Sequence, residues 1–95
     1  MVKFVTTQVP KTYQEFAMPR YFFHLRDAEG LSVDRVGAFL STDEQARSEA
    51  VQAAKEMLAE KILKNEILDG SAFEVVRSDG LLIARIPLKS VLRFK

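Results

Sequence analysis

The sequence contains one histidine, His24, which is the side chain with the widest choice of chemistry. An imidazole can act as a general base or bind a metal ion, and Arg26 and Asp34 would act with it in a small enzyme or ligand sensor. A metal triad would need further histidines, and a partly exposed histidine in a strand is the commoner situation. We therefore expect a structural role for His24 and no enzymatic activity. A sensor or enzyme around this residue is the least favoured hypothesis.

Three carboxylates, Asp27, Glu29 and Asp34, are close together in the sequence and carry the oxygen ligands that a hard cation prefers. Their spacing does not match a calcium-binding loop, and an early Asp27 with a late Gly30 is typical of a type I turn. The four glycines are isolated, and no serine has the Gly-x-Ser-x-Gly context of a hydrolase. We therefore predict neither a metal site nor a bound cofactor.

Basic residues interleaved with aromatic residues form a second candidate site. Such surfaces bind single-stranded nucleic acid, because cations pair with the phosphates and bases stack on the rings. The candidate contacts are Arg20, Arg26, Lys89, Arg93 and Lys95. However, 14 basic and 13 acidic residues leave a net charge of +1, which gives no overall field to attract a polyanion. A nucleic-acid-binding regulator is therefore our second hypothesis.

The composition is that of one globular domain. The chain has 95 residues, of which 47% are hydrophobic and 28% are charged, so it can form a single core. It has no cysteine, which excludes disulfides, thiolate zinc sites and cysteine nucleophiles and favours a cytoplasmic location. No apolar run approaches the ~20 residues that span a bilayer, so we expect no membrane partner.

Alternation of apolar and polar residues predicts four β-strands, at residues 21–26, 31–36, 73–78 and 81–86. Asp79-Gly80 separates the last two strands and predicts a hairpin with a two-residue turn. Such a turn places Glu74 opposite Arg85, and we expect the two side chains to form a direct cross-strand charge pair.

From about Thr42 to Lys64 the sequence has the pattern of one long amphipathic helix. Ser41 with Glu44, or Thr42 with Gln45, would form a capping box at its start. The apolar face comprises Ala46, Ala50, Ala53, Ala54, Met57, Leu58 and Ile62. The element order β-β-α-β-β predicts an α+β fold, a small antiparallel sheet with one long helix packed on one face.

One helix covers only one face of such a sheet, so apolar side chains would be left exposed on the other. The candidate interface residues are Phe22, Val76, Leu81 and Ile83. An apolar patch on so small a protein is commonly an interface. Our leading hypothesis is a non-enzymatic protein-interaction module that forms a homodimer through this face or through an edge strand.

Three segments are expected along the chain: a flexible N-terminal arm at residues 1–17, one α+β domain at residues 18–88 and a basic tail at residues 89–95. Strongly patterned sequence follows Met18 directly. Translation could therefore begin at Met18, with the preceding residues an extension that is not made. Peptides from residues 1–17 in a mass spectrum of the native protein would contradict this expectation.

Several short motifs lie between residues 18 and 88. They are Met18-Pro-Arg-Tyr-Phe-Phe-His-Leu-Arg-Asp27, Asp34-x-x-Gly37, Ala46-Arg47-x-Glu49-Ala50, Phe73-Glu74-Val75, Asp79-Gly80 and Ile86-Pro87. With these motifs the chain resembles an uncharacterised family of short proteins of unknown function, common in rhizobia and other alphaproteobacteria. The resemblance implies a shared fold without implying an activity. The element order is also similar to that of small antitoxin domains of the HicB type, a likeness of fold that does not carry their function.

Overall fold

The computed structural model describes residues 18–66 and 70–92 of the chain. Its elements, in chain order, are β1 (Arg20–Asp27), β2 (Gly30–Ser32), β3 (Ala38–Phe39), α1 (Asp43–Leu63), β4 (Ala72–Arg77), β5 (Leu82–Pro87) and a 3-10 helix (Leu88–Val91). The predicted α+β class, with one long helix and a small antiparallel sheet, is confirmed. Strand β3 is an additional short strand, and β2 is shorter than the predicted second strand.

The order of the sheet is β2-β1-β4-β5, and β3 also pairs with β1. Strands β2 and β3 therefore share the outer edge of β1, one near each end of it. The central strands β1 and β4 pair from Tyr21 opposite Arg77 to Arg26 opposite Ala72. The other edge is β5, which ends at Pro87, a residue that cannot donate a ladder hydrogen bond.

Helix α1 begins where the sequence predicts. Thr42 is its N-cap, and the Oγ1 of Thr42 accepts a hydrogen bond of 3.0 Å from the backbone N–H of Gln45. The Oε1 of Gln45 accepts a second bond, also of 3.0 Å, from the backbone N–H of Ser41. Of the two pairs considered, Thr42 and Gln45 therefore cap the helix, with the side chain of Gln45 bound to the residue before the N-cap rather than to the N-cap itself.

The buried face of α1 ends one turn earlier than predicted. Its buried residues are Ala46, Ala50, Ala54 and Leu58. The side chain of Ile62 is instead 51% exposed. A helix of 21 residues is about 30 Å long, whereas a strand of six residues spans only about 20 Å. The last turn of α1 therefore extends beyond the sheet, and Ile62 does not belong to the core.

The core lies between α1 and the sheet. Tyr21 of β1 and Val75 of β4 are fully buried in it, and small alanine side chains on α1 allow the helix backbone to approach the strands closely. Phe23 and Leu25 pack against the same core, as their alternation with polar residues predicts. In the described part of the chain, no helix is both long enough and apolar enough to cross a membrane.

The hairpin between β4 and β5 differs from the prediction at its turn. The backbone N–H of Gly80 donates to the carbonyl of Arg77 at 2.7 Å, and the N–H of Arg77 donates to the carbonyl of Leu81 at 2.9 Å. The loop therefore comprises residues 78–80. Gly80 has a φ of 91°, the left-handed conformation that a loop of three residues requires.

A β-bulge in β5 compensates for the additional loop residue. Val75 lies opposite Ala84, which is the register that the predicted pair of Glu74 and Arg85 implies. Val76 lies opposite Leu82, so that Ile83 has no direct partner across the ladder. Ile83 packs against the core on the helix side. The bulge therefore moves Ile83 off the uncovered face, where we expected it, and places Leu82 there.

Candidate functional site

The candidate site is the face of the sheet opposite α1, which we call the open face. Because directly opposite residues project from the same face, the register places Phe22, Val76 and Leu82 in one row across β1, β4 and β5. Leu82 is 54% exposed, and Phe22 and Val76 are half-buried. This apolar row is the part of the open face best suited to contact another apolar surface.

Two of the four predicted interface residues, Leu81 and Ile83, do not belong to the open face. Ile83 packs against the core. Leu81 is exposed, but it lies opposite Arg77, whose guanidinium reaches the first residue of α1. Leu82 is on the open face instead, since the three-residue loop shifts the register by one residue until the bulge restores it.

His24 lies next to the apolar row, and its ring stacks on that of Phe22 with centroids 6.2 Å apart. The Nδ1 of His24 accepts a hydrogen bond of 3.0 Å from the backbone N–H of Asp34. Nδ1 is therefore unprotonated, and the proton of the neutral ring is on Nε2. A metal-bound histidine normally donates from its second ring nitrogen, and a general base needs a free lone pair. The geometry thus favours a structural role for His24.

The carboxylate of Asp34 fills the gap between β2 and β3 on the edge of β1. Its Oδ2 accepts a hydrogen bond of 3.0 Å from the N–H of Phe23, and its Oδ1 accepts bonds of 3.0 and 3.1 Å from the N–H groups of Val36 and Gly37. Burial alone would raise the pKa of Asp34, but these backbone donors together lower it below its usual value. We call residues 33–37 the Asp34 loop.

Arg20 holds the Asp34 loop from its other end. The Nε and Nη2 of Arg20 donate to the carbonyl of Val36 at 3.1 and 2.7 Å. The guanidinium also lies over the rings of Phe22 and Phe39, 5.1 and 5.8 Å from their centroids. A phosphate could bind Arg20 only in competition with these contacts within the chain.

Of the other predicted nucleic-acid contacts, the structure describes Arg26 and Lys89, and neither is brought together with Arg20. Arg26 lies near the opposite end of β1 and forms an ion pair of 2.7 Å with a carboxylate of β4. Lys89 is exposed in the 3-10 helix that follows β5. Arg93 and Lys95 lie outside the described residues.

The carboxylate that binds Arg26 is that of Glu74, at the centre of the open face. The register places Arg85 opposite Glu74 on β5, as predicted, but also places His24 opposite it on β1. Glu74 forms its ion pair with Arg26 rather than with Arg85, because Arg26 reaches it diagonally from the neighbouring strand. Arg85 remains exposed beside a carboxylate that is already bound.

The three carboxylates considered as cation ligands do not form a common site, and two of them bind backbone N–H groups. The Oδ1 of Asp27 accepts a hydrogen bond of 2.9 Å from the backbone N–H of Glu29 in the turn between β1 and β2. The carboxylate of Asp34 is directed at its own loop. Among residues 18–66 and 70–92, no three histidine, aspartate or glutamate side chains are grouped so as to hold a metal ion.

A polar network that the sequence patterns did not predict joins the start of α1 to the sheet. The hydroxyl of Tyr21 donates to Asp43 at 2.5 Å, and Arg77 donates to Asp43 at 3.0 Å and to Asp79 at 2.9 Å. Burial, together with the hydrogen bond to Asp43, raises the pKa of Tyr21 to about 12. The sequence signal for this network is Asp43 in the first turn of α1. An aspartate at that position is equally expected from its favourable interaction with the helix dipole, so it does not by itself predict a contact with the sheet.

The residues of the distinctive motifs therefore hold the fold together. Tyr21, His24, Asp34 and Gly37 each contribute to the contacts between β1, the Asp34 loop and α1. In the described part of the chain, every buried side-chain nitrogen and oxygen has a hydrogen-bond partner. This pattern is that of a hydrogen-bonded network that holds the fold together.

Comparison with known proteins identifies the family and no activity. The family model DUF6894, described as a domain of unknown function, matches residues 20–89. No curated protein and no solved structure matches the chain. The matched residues begin with β1 and continue into the 3-10 helix, so they include the whole sheet, α1 and the Asp34 loop. The chain therefore belongs to the DUF6894 family of domains of unknown function.

Proposed function

We propose that this protein is a cytoplasmic, non-enzymatic interaction module that forms a homodimer through its open face. The observation that carries the proposal is the apolar row of Phe22, Val76 and Leu82, which α1 does not cover. Placing this row against a second copy would remove apolar surface from water, which is the main driving force of association. The lack of cysteine fits a reducing compartment.

The charges on the open face support a second copy as the partner. Glu74 is flanked in register by Arg85 and bound by Arg26, so the face carries both signs within a small area. In a two-fold symmetric contact the same patch meets itself, and a patch with both signs can be self-complementary. Exposed Arg85 of one copy would then lie close to Glu74 of the other.

The size of the open face limits the affinity. Strands β1, β2, β4 and β5 have 8, 3, 6 and 6 residues. At about 3.4 Å for each residue and about 4.8 Å between strands, they give a projected area of roughly 400 Å² for each copy. A standard stable interface buries about 800 Å² on each partner. We therefore expect a weak dimer, with a dissociation constant in the micromolar range or above.

Replacing Leu82 with glutamate is expected to abolish dimerisation, because it places a charge at the exposed end of the apolar row. The matched control is Leu81→Glu, since Leu81 is 52% exposed and adjacent in sequence but lies off the open face. Sedimentation velocity at about 10 to 300 μM should show self-association of the wild type and of Leu81→Glu, and only monomer for Leu82→Glu. A wild type that stays monomeric throughout would contradict the proposal.

Single-stranded nucleic acid is the second candidate partner, since Arg20, Phe22 and His24 form an aromatic and basic stripe on the open face of β1. It is less favoured because Arg20 binds its own loop and Arg26 binds Glu74. Salt-sensitive binding of a fluorescent oligonucleotide, weakened by Arg85→Ala while the wild type stays monomeric, would favour it over the dimer. If the wild type does not bind the oligonucleotide at low salt, the nucleic-acid hypothesis is excluded.

A further inference from the structure

We propose that the contact between His24 and the Asp34 loop is a pH-sensitive switch, in which protonation of the imidazole releases the backbone of Asp34 from β1. This inference concerns the loop itself and does not depend on which partner covers the open face. It goes beyond the family assignment, because it gives the Asp34-x-x-Gly37 segment of this chain a conditional role.

The switch follows from the direction of one hydrogen bond. The backbone N–H of Asp34 can only donate, so the Nδ1 of His24 at 3.0 Å must accept. A second proton on the ring would occupy Nδ1 and place two donors against each other. The contact then changes from favourable to repulsive, and the backbone of Asp34 must move or the ring must turn.

Neighbouring groups restrict how the charged ring could find another partner. From the loop, the carboxylate of Asp34 already accepts three backbone N–H groups, and its charge would attract a charged ring and keep it near the loop without restoring the lost hydrogen bond. On β4, Glu74 lies opposite His24 and is bound by Arg26 of β1, and Arg85 lies beyond it on β5. The ring also stacks on Phe22 at an interplanar angle of 12°, so turning it would break that contact.

Only the start of the Asp34 loop would be released from β1, because the loop is attached in two ways. The contact of the Asp34 N–H with His24 depends on the proton of the ring, whereas the contacts of the Asp34 carboxylate do not. The Asp34 carboxylate remains charged when the solution is made mildly acidic, since its pKa lies below the usual value for an aspartate. The carboxylate therefore continues to hold Phe23, Val36 and Gly37 while the Asp34 N–H is freed. The mobile part would be the start of the loop, which includes the half-exposed Val33 beside β2.

Amide hydrogen exchange measured by NMR at about pH 8 and pH 5 tests the switch. In the wild type, the protection factor of the Asp34 amide, corrected for intrinsic exchange, is expected to fall about tenfold at the lower pH. The Phe23 amide, which binds the carboxylate, should not change and is the internal reference. Unchanged protection at Asp34 would overturn the proposal.

Two variants distinguish a proton switch from a general effect of acid. His24→Asn places an amide oxygen near the position of Nδ1 without a titratable group, so its Asp34 amide should stay protected at both pH values. His24→Ala should leave that amide unprotected at both. A pH-dependent loss in His24→Asn equal to that of the wild type would exclude His24 as the switch.

The protonation of the two ring nitrogens of His24 can be measured by NMR on the wild type, so this test does not depend on the folding of a variant. The ¹⁵N chemical shifts of the His24 ring report which nitrogen carries the proton. At about pH 8 we expect an unprotonated Nδ1 and a protonated Nε2. The opposite tautomer would show that Nδ1 does not accept from Asp34, and the switch would then be ruled out.

Discussion

Replacement of Gly37 by alanine is expected to lower the free energy of unfolding by about 2–4 kcal/mol. Gly37 has a φ of 74°, a conformation that residues with a Cβ rarely adopt. A Cβ at this position would also lie 2.8 Å from the carbonyl oxygen of Tyr21 and 2.9 Å from the ring of Phe22. The backbone of Tyr21 belongs to a central strand, so it cannot move away without disturbing the pairing with β4.

The variant Gly80→Ala separates the strained conformation from the collision. Gly80 has a φ of 91°, but a Cβ there would meet nothing within 4 Å. Gly80→Ala is therefore expected to lower the free energy of unfolding by about 1 kcal/mol, from the backbone conformation alone. Urea and thermal unfolding followed by circular dichroism would compare the variants. A loss of about 3 kcal/mol corresponds to a decrease of roughly 12–24 °C in Tm for a domain of this size. Equal losses in both variants would contradict a role for the collision.

The second large effect is expected for Asp34→Asn, which should lower the free energy of unfolding by about 2–3 kcal/mol at neutral pH. The carboxylate accepts hydrogen bonds on both oxygens, from Phe23 on one side and from Val36 and Gly37 on the other. An asparagine of the same shape has only one oxygen, so its amide group would face an N–H on one of the two sides. The expected loss is smaller than the sum of three hydrogen bonds to a charged group, because Asp34 is only half-buried.

A control variant and the dependence on pH make this prediction specific. Asp27→Asn changes a carboxylate that accepts one N–H in an exposed turn, so its effect should be within about 0.5 kcal/mol. The lowered pKa of Asp34 means that its contribution is present in full above the unfolded value of 3.8 and is lost as the pH falls through the folded value. The difference between wild type and Asp34→Asn should therefore narrow in urea unfolding below pH 3.8. A difference that persists in acid would exclude the carboxylate as its cause.

The parts of the fold that local signals determine were predicted closely. Helix α1 starts after Thr42 because the capping box is formed by neighbours in sequence, and it ends at Leu63 with Lys64 as its C-cap. The register around Val75 and Ala84 was also correct. In these cases the hydrogen-bonding groups are close together in the chain, so the sequence contains the necessary information.

The hairpin turn was mispredicted because Asp79-Gly80 suits two kinds of loop. A glycine with positive φ is required both in a two-residue turn and at the end of a three-residue loop. The choice between them depends on whether β5 can accept a bulge at Ile83, which packing against the core decides. This tertiary effect altered the predicted open face and replaced Leu81 and Ile83 with Leu82.

The candidate site was predicted only in part, for a similar reason. Phe22 and Val76 follow from strand alternation and were placed correctly. The role of Asp34 was missed because its partners on β1 become neighbours only after β2 and β3 have aligned along the same edge. An aspartate three residues before a glycine was the signal in the sequence, and it is typical of a side chain that binds nearby backbone N–H groups.

The pairing of β1 with β4 also affects how the chain folds during synthesis. Phe23 of β1 lies opposite Val75, about 50 positions later in the chain, so the centre of the sheet closes a long loop. A ribosome releases β1 and α1 well before β4, and in that interval the aromatic residues of β1 have no central partner strand. Strand β1 is therefore exposed to aggregation until the hairpin of β4 and β5 has been synthesised.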